Sequence, residues 1–402
     1  MRSPGSMWIL ALVGCASSGP THAGDDGTRA LQAYRAGDFS TAEEACLRLR
    51  SRSPEDLLAL RLLGRIQLYT NRLADSVQTL RTAVQIMDRQ ARNDPRRAIE
   101  LREEWHLACQ DLAVACYRMD DYATASEVYA LLGEGLLAAK YRALAKDIPY
   151  IVRWEDEPSI LPFTNRDPVP TVRLRVNGIR GLFAVDTGTG EIVLDPKYAK
   201  QVGAKGVGLR TENFSGAVEE AWVDEVTLGT VTTRNVPVRL RRLASLGGEE
   251  IHGILGANFL LHFSFTLDYR KERLILRQSS SPTPGLGEGM PLLIVGDRFL
   301  VVPGKVDDLA TLILLDTGRP KVPVFPSAGL VWTLSKGDPR KYRMGSLSFG
   351  PISLSNPAFD SAPFPPGLDT NFGFSIGAAV GHEALRNRVV TFDIAGMKVT
   401  VD

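Results

Sequence analysis

Leu182-Phe183-Ala184-Val185-Asp186-Thr187-Gly188 is the stretch around which this chain of 402 residues is organised. A second stretch of the same kind, Leu312-Ile313-Leu314-Leu315-Asp316-Thr317-Gly318, follows in the C-terminal part. In both, an apolar run typical of a β-strand ends in Asp-Thr-Gly. Asp and Gly are common wherever a strand gives way to a turn, so one interpretation of the pair is purely structural.

The similarity between the two parts continues beyond the tripeptides. Each part next has a strand-like segment that ends in Gly, an Asn six residues later, an apolar pair closed by Gly, and an Asp twelve residues after that Gly. The matching positions are Gly229, Asn235, Gly256 and Asp268 in the first part, and Gly350, Asn356, Gly381 and Asp393 in the second. A unit of about 115 residues is therefore repeated, which indicates duplication of a small domain rather than a solenoid.

Two Asp residues that close equivalent strands of a duplicated domain point to a specific chemistry. Carboxylates held side by side cannot both ionise, so they share one proton. The ionised carboxylate can then take a proton from a water molecule, while the protonated one donates to a substrate carbonyl. Hydrolysis of a peptide bond is the reaction that needs this arrangement.

At these residues the chain resembles the retropepsin-like and pepsin-like aspartic proteases, most of all the bacterial retropepsin-like group, over roughly residues 160–402. The resemblance implies that Asp186 and Asp316 form the catalytic dyad, that the substrate is a polypeptide and that no cofactor takes part. It also implies that the two threonines hydrogen-bond between two lobes, and that two glycines lie in psi-shaped loops. The supporting residues would be Thr187, Gly188, Thr189, Gly256, Thr317, Gly318 and Gly381.

The residues after the second motif depart from the family pattern. Family members usually carry Ser, Thr or Ala at this point, which Thr189 satisfies, whereas Arg319 and then Pro320 follow Gly318. A guanidinium beside the dyad would favour ionised carboxylates and lower the pKa of the shared proton. The alternatives are that Arg319 faces solvent, or that the second motif has drifted away from catalysis.

Flap hairpins cover the cleft in this family. The best candidate in the first lobe is the turn at Phe214-Ser215-Gly216, and the corresponding tip in the second lobe is Gly337-Asp338-Pro339. The segment between motif and next glycine is longer in the first lobe, so its flap is expected to be the longer one. Ordinary surface hairpins are the alternative for both.

The composition excludes several classes of function. An apolar content of 44% and a charged content of 23% are those of an ordinary globular protein. A net charge of +1 gives no electrostatic basis for nucleic-acid binding. His382-Glu383 begins like a zinc-protease helix motif, but Arg386 occupies the position of the second histidine, so no metal is expected.

The N-terminus has the features of a targeting segment. The apolar stretch at residues 7–13 is too short to span a bilayer. Leu12-Val13-Gly14-Cys15 matches the bacterial lipobox, which predicts a lipid on Cys15, a tether at residues 16–28, and a protein anchored in the bacterial cell envelope, facing the periplasm or the exterior. The alternatives are ordinary secretion with cleavage near Thr21-His22-Ala23, or a disordered start of a cytoplasmic protein.

Residues 29–150 are predicted to form a helical module. Apolar residues recur there at intervals of three and four, and a turn signature appears at Gly37-Asp38-Phe39, Asn71-Arg72-Leu73 and Asp120-Asp121-Tyr122. The first spacing of 34 residues resembles tetratricopeptide repeats, and the longer second spacing predicts an insertion around residues 89–97. The module either holds a protein partner or substrate segment in a groove, or only supports the protease lobes. Cys109 and Cys116 are too far apart on one helix for a disulfide; either could pair with Cys46.

Together these features predict a multidomain α plus β protein, in which a tetratricopeptide-like module precedes two all-β aspartic-protease lobes. A proline-rich linker at residues 154–170 leads to the first lobe at residues 160–277, and a linker at 278–289 leads to the second at 290–402. The predicted function is an aspartic endopeptidase that acts as a monomeric unit. The alternatives are an inactive, protease-like binding lipoprotein, and lobes that each pair with their copy in a second chain.

Overall fold

The structure, a computed structural model, describes residues 23–212, 216–280, 283, 287–319, 324–335, 338, 342–359 and 372–402. The predicted lipidation site Cys15, the flap residues Phe214 and Ser215, and residues 337 and 339 of the second flap lie outside this part of the chain. Within it, no helix has both the length and the apolarity of a membrane span.

A helical region comes first, as the apolar periodicity predicts. The turn signatures mark helix starts: Asp38 and Asp121 accept hydrogen bonds from the backbone N–H groups of Thr41 and Thr124 at 3.0 and 3.1 Å, and Asn71 adopts a φ of 60°. The helices are α1 (Ala23–Arg35), α2 (Phe39–Arg52), α3 (Leu57–Tyr69), α4 (Leu73–Asn93), α5 (Pro95–Glu100), α6 (Arg102–Arg118), α7 (Tyr122–Leu131) and α8 (Gly135–Leu144).

Small residues let successive helices cross closely. A Cβ atom at Gly64 of α3 would lie 2.6 Å from the Leu80 side chain of α4, so this approach requires glycine. The extra residues between the second and third turn signatures extend α4 and form α5. Cys46, Cys109 and Cys116 are all buried and free, so the disulfide considered for Cys46 is not formed.

A β-rich region follows, in which short helices α9 (Pro196–Gln201), α10 (Ala257–Leu260), α11 (Ala328–Leu334) and α12 (His382–Leu385) interrupt the predicted all-β pattern. The strands are β1 (Ile151–Trp154), β2 (Ser159–Asn165), β3 (Thr171–Val176), β4 (Ile179–Asp186), β5 (Ile192–Leu194), β6 (Lys205–Glu212), β7 (Gly216–Leu228), β8 (Val231–Leu240), β9 (Gly253–Gly256), β10 (Phe263–Asp268), β11 (Arg273–Gln278), β12 (Met290–Pro291), β13 (Leu293–Val295), β14 (Phe299–Val306), β15 (Leu309–Leu315), β16 (Val324–Pro326), β17 (Ser346–Phe349), β18 (Ile352–Ser355), β19 (Ile376–Val380), β20 (Val389–Asp393) and β21 (Lys398–Val401).

The linker predicted at residues 154–170 is wrong in part, because β2 lies within it. From Ser159 to Phe163 the residues of β2 alternate between buried and exposed, and the strand pairs with β11 on one side and β3 on the other. Pro162 takes an exposed position at the end of the pairing with β11, where a missing N–H is tolerated. The prolines obscured a period of two that the sequence carries.

One pattern of strands occurs twice in the β-rich region. In the first copy β4 runs parallel to β9, and β5 lies antiparallel on the other side of β9. In the second copy β15 runs parallel to β19, and β16 lies antiparallel beside it. The two copies lie in different sheets, but β20, which follows the second copy, pairs with β10 in the sheet of the first, and there the Phe265 and Phe392 rings stack with centroids 4.5 Å apart.

The helical region packs against both copies. Its first helices cover the sheet that contains β15: the Phe39 and Phe374 rings are 5.1 Å apart, and the Tyr34 hydroxyl donates to the Phe372 carbonyl at 2.7 Å. Its last helix, α8, packs on β6 and β7 of the first copy. The chain itself therefore fills the apolar surface that this region turns toward the β-rich region. This packing favours the supporting role among the two roles considered for the helical module.

Candidate active site

Both Asp-Thr-Gly motifs follow strands of equivalent position. Asp186 ends β4 and is paired in register with Gly256 at the end of β9. Asp316 directly follows β15, and its backbone N–H donates to the Val380 carbonyl at the end of β19 at 2.9 Å. Because each Asp stands where a parallel pair of strands ends, both motifs leave the sheet as short loops that can meet.

The two loops are joined by reciprocal hydrogen bonds between their threonines. The backbone N–H of Thr187 donates to Thr317 Oγ1, and that of Thr317 donates to Thr187 Oγ1, both at 3.0 Å. The Thr187 hydroxyl also donates to the Leu315 carbonyl at 2.8 Å, and the Thr317 hydroxyl to the Val185 carbonyl at 3.0 Å. Both threonines are 0% exposed, so these four bonds are shielded from water and fix the loops relative to each other.

Glycine is required after each Thr because the carboxylates lie against it. A Cβ atom at Gly188 would overlap the Asp316 carboxylate, and one at Gly318 would overlap the Asp186 carboxylate. A Cβ at Gly256 would overlap the Gly190 carbonyl, because this glycine packs directly against the loop after the first motif. Gly381 has the equivalent place in the second copy, immediately before α12.

The two carboxylates have different surroundings. Asp186 accepts hydrogen bonds from the Gly188 and Thr189 backbone N–H groups at 2.8 and 3.2 Å, and from the Thr189 hydroxyl at 2.7 Å. Asp316 is buried, and burial together with the negative charge of Asp186 raises its pKa to about 6. Arg319 opposes this rise.

Arg319 contacts the second carboxylate instead of facing solvent. Its Nε donates to Asp316 Oδ2 at 2.7 Å, and its guanidinium lowers the pKa of that carboxyl relative to the effect of burial alone. The net direction is still upward, so the charge of Asp186 and the loss of solvent outweigh Arg319. The residue that departs from the family pattern is therefore part of the site.

A buried charge cluster that the sequence analysis missed lies behind the first loop. Lys140 of α8 lies 2.5 Å from Glu191 Oε2 and 2.6 Å from Glu220 Oε2, and these three side chains are at most 1% exposed. The Tyr141 hydroxyl donates to Glu191 Oε1 at 3.1 Å, and Arg210 Nε donates to Glu220 Oε1 at 2.7 Å. Glu191 follows the first motif closely, but no local signal connects it with a lysine 51 residues earlier.

The hairpin formed by β6 and β7 lies beside the first Asp-Thr-Gly loop, in the part of the chain where the sequence predicts a flap. Strands β6 and β7 pair from Lys205 opposite Trp222 to Glu212 opposite Gly216, so the predicted tip falls between them. Of the three flap candidates, Gly216 begins β7, and Phe214 and Ser215 belong to the part that the structure does not describe.

One group of described residues could offer three ligand atoms to a metal ion: Asp167, His382 and Glu383. The group also has internal partners, since His382 Nε2 lies 3.0 Å from Asp167 Oδ1 and Arg386 donates to both Glu383 oxygens at 2.9 Å. A guanidinium on Glu383 competes with a cation for the same oxygens. The absence of a metal remains a prediction.

Comparison with known proteins bears on the first of the two loops. Residues 172–259, which contain Asp186 and Gly256, match the model of a family described as aspartyl protease. Among solved structures, the chain is similar to a retropepsin-like aspartic protease from Rickettsia conorii, with 24% identity, a TM-score of 0.25, and coverage of 32% of this chain and 95% of that chain. No curated protein matches. The family match supports an aspartic protease in general terms.

Proposed function

We propose that this protein is an aspartic endopeptidase whose dyad, Asp186 and Asp316, forms between two lobes of one chain. The observation that carries the proposal is the reciprocal arrangement of the two loops, in which each Thr hydrogen-bonds to the other loop and each carboxylate lies against the other loop's glycine. Strand-to-turn transitions of purely structural origin would not need each carboxylate to lie against the other loop's glycine, where the charge of Asp186 raises the pKa of Asp316.

The different surroundings of the carboxylates support different roles. Asp316, with a pKa raised to about 6, would hold the shared proton and donate it to the carbonyl oxygen of the scissile bond. Asp186, which accepts three hydrogen bonds, would carry the negative charge and take a proton from the attacking water. Water adds to the carbonyl carbon to give a gem-diol. The C–N bond then breaks as the proton taken up by Asp186 passes to the amine nitrogen and a gem-diol hydroxyl returns a proton to Asp316, so no covalent intermediate with the protein forms.

Replacement of either carboxylate tests the proposal. Asp186→Asn and Asp316→Asn should each abolish the cleavage of unfolded casein, because one carboxylate cannot serve as both acid and base. Asp308→Asn is the matched control, since Asp308 is an exposed residue in the turn between β14 and β15. Circular dichroism should give the parent spectrum for all three variants. Full activity in either dyad variant would reject the intrachain dyad.

A second candidate function is a binding protein with inactive protease-like lobes. The observation that favours it is the contact of Arg319 with Asp316, because a guanidinium stabilises the ionised form that cannot act as the acid. In that case the parent and both dyad variants would leave casein intact while remaining folded. A polypeptide would still be the ligand, and the helical region would be the expected docking site for a protein partner.

The proposed architecture consists of a tetratricopeptide-like module and two lobes that meet at the dyad. The recurrence of the β4–β9–β5 pattern as β15–β19–β16 supports duplication of a lobe, and the described strands extend the first lobe to β1 and β2. Since both loops belong to one chain, a monomer contains a complete site. Sedimentation equilibrium under the conditions of the activity assay gives the mass of the active protein. Activity that occurs only when the protein is a dimer would reject the monomeric unit.

We also propose that a lipid on Cys15 anchors the protein in the bacterial cell envelope. The support is the lipobox match alone, and secretion without an anchor is the alternative. With the acyl chains as the anchor, membrane attachment should survive a high-salt wash. Cys15→Ala should release any exported protein from the membrane fraction; retention of this variant, or failure of the parent to incorporate labelled fatty acid, would reject the anchor.

A further inference from the structure

A small cavity lies beside the first Asp-Thr-Gly loop. Its volume is about 90 Å³, which leaves room for several water molecules or for one small polar group. The loop itself forms one wall and β7 another, through Val218. The cavity therefore begins at Gly188, where an added Cβ atom would overlap the Asp316 carboxylate, so the cavity lies directly beside the proposed dyad. The residues of the loop wall are Gly188, Thr189, Gly190 and Glu191.

Three arginines, Arg239, Arg241 and Arg298, give this cavity its charge. Arg239 lies at the end of β8 and Arg241 directly after it, in the first half of the β-rich region, whereas Arg298 directly precedes β14 in the second half. Both halves of the β-rich region thus contribute cationic groups to one small space. We name these three residues the arginine subsite.

The arginines differ in whether a nearby carboxylate already forms an ion pair with them. No carboxylate in the described part of the chain forms an ion pair with Arg241, which is half-buried. Arg298 is held in place by Asp297, whose carboxylate oxygens lie 2.9 and 3.0 Å from Nη1, and by the Phe299 ring at 4.5 Å. Its Nε is buried without a hydrogen-bond partner, so a donor is left to be satisfied.

Glu191 is the single carboxylate among the described residues that line the cavity, and it is engaged elsewhere. Lys140 Nζ lies 2.5 Å from it and the Tyr141 hydroxyl donates to it at 3.1 Å. Arg239 Nε lies 3.4 Å from Glu191 and 3.6 Å from Glu220, so it is shared between two anions already neutralised by other cations. The space in the cavity itself is therefore electropositive.

We propose that the arginine subsite binds a carboxylate of the polypeptide substrate close to the scissile bond. This inference rests on the proposed endopeptidase function. Guanidinium groups recognise carboxylates through planar, charge-assisted pairs of hydrogen bonds, and the cavity volume suits a group of carboxylate size. Two sources share this chemistry, namely an Asp or Glu side chain near the bond and the C-terminal carboxylate of a chain cleaved near its end.

Matched peptides test the subsite. The peptides are based on a segment of unfolded casein that the protein cleaves. At each of the four positions on either side of the cleaved bond, a peptide with Glu is compared with a peptide that has Gln at the same position. At one of these positions Glu should raise kcat/KM at least about tenfold over Gln, as expected for a charge-assisted pair. A second series has Gln at all these positions and compares peptides with a free and an amidated C-terminus. This series shows whether the subsite binds the C-terminal carboxylate instead of a side-chain carboxylate.

Variants of the chain assign the effect to the arginines. In Arg241→Gln and Arg298→Gln the Glu-to-Gln ratio of kcat/KM should fall toward 1, and Arg241→Glu should favour a Lys peptide instead. Arg242→Gln is the matched control, because Arg242 is the exposed neighbour of Arg241 and does not line the cavity. Loss of the ratio in Arg242→Gln as well would assign the preference to overall charge and overturn the subsite.

The outcomes separate the subsite from the endopeptidase function. Equal cleavage of every Glu and Gln peptide, and of the free and amidated peptides, would overturn the subsite and leave the function intact. If no peptide is cleaved, a binding experiment tests the subsite instead. Asp316→Asn protein is immobilised, and two pools of decapeptides, one with a fixed Glu and one with a fixed Gln, are compared for the amount that the protein retains. Selective retention of the Glu pool that Arg241→Gln abolishes would support the subsite although the function had failed; equal retention would overturn it.

Discussion

Lys140 provides the sharpest test of how the helical region supports the proposed site. Its ammonium group is 0% exposed and contacts Glu191, Glu220 and, at 3.0 Å, the Val238 carbonyl. Lys140 belongs to α8, whereas Glu191 belongs to the segment that continues the first Asp-Thr-Gly loop. The ion pair therefore joins the helical region to the loop that carries Asp186.

Replacing Lys140 by Met removes the charge and keeps an unbranched side chain that can fill similar space. Burial raises the pKa of Glu220, but Lys140, Arg239 and Arg210 outweigh burial and lower that pKa to about 2. Removing one partner of a buried ion pair costs about 3–5 kcal/mol, because the remaining charge stays in a medium of low dielectric. We expect the free energy of unfolding of Lys140→Met at pH 7 to fall by about 4 kcal/mol.

The loss should depend on pH with a definite sign. In the parent, the folded-state pKa of Glu220 lies below the ordinary value of 4.5, so its ionised form contributes stability above pH 4.5 that disappears as the pH falls through about 2. In Lys140→Met the folded-state pKa rises, and protonation relieves the buried charge at mildly acidic pH. The difference in unfolding free energy between parent and variant should therefore be larger at pH 7 than at pH 4.

Urea unfolding followed by tryptophan fluorescence measures this difference. Lys197→Met is the matched control, since that ammonium is exposed and lies 3.9 Å from Glu250, a surface pair worth at most about 1 kcal/mol. Lys140→Met combined with Glu220→Gln should recover part of the stability by removing one uncompensated charge. A loss below about 1 kcal/mol in Lys140→Met, or an equal loss at both pH values, would refute the electrostatic reasoning.

Three further predictions concern the loops and the helical region. Arg319→Ala removes the guanidinium that lowers the pKa of Asp316, so the decline of kcat/KM on the alkaline side should move to higher pH than about 6; an unchanged pH profile would place Arg319 away from the reacting groups. Thr317→Val leaves the buried N–H of Thr187 unpaired and should lower the unfolding free energy by about 1–3 kcal/mol together with kcat, whereas unchanged urea unfolding would contradict the importance of the shared bonds. Gly64→Ala should cost about 1–3 kcal/mol in urea unfolding because its Cβ meets another helix, and parent-like stability would show that the helices can separate without penalty.

The sequence predicts those parts of the molecule whose signals are local or repeated. Helix starts follow from caps such as Asp38 and Asp121, and an N-terminal helical region followed by a β-rich region is confirmed. The Asp-Thr-Gly motifs identify two loops that the structure brings together, because each motif marks in the sequence where a strand ends and a tight turn begins. The strand β2 is not predicted, because its prolines indicate a linker and obscure the alternation around them.

The residues that escaped sequence analysis act across long distances in the chain. Lys140 and Arg298 lie in segments without a motif, and only the packing of α8 and of the residues before β14 carries them to the first loop. A buried lysine is invisible in a sequence because its partners, here Glu191 and Glu220, stand 51 and 80 residues away. Such contacts depend on tertiary structure, which local propensity does not encode.

The same long-range contacts connect the helical region to both halves of the β-rich region. The two loops are joined directly by four hydrogen bonds, and their alignment also depends on the packing of the two halves of the β-rich region that carry them. Helix α8 is tied to the first half by a buried ion pair, and α1 to α3 are tied to the second by aromatic packing. Because the helical region contacts both halves of the β-rich region, we expect it to limit their relative rotation, a motion that would move the two loops apart. Preorganisation of this kind would lower the cost of forming the proposed site.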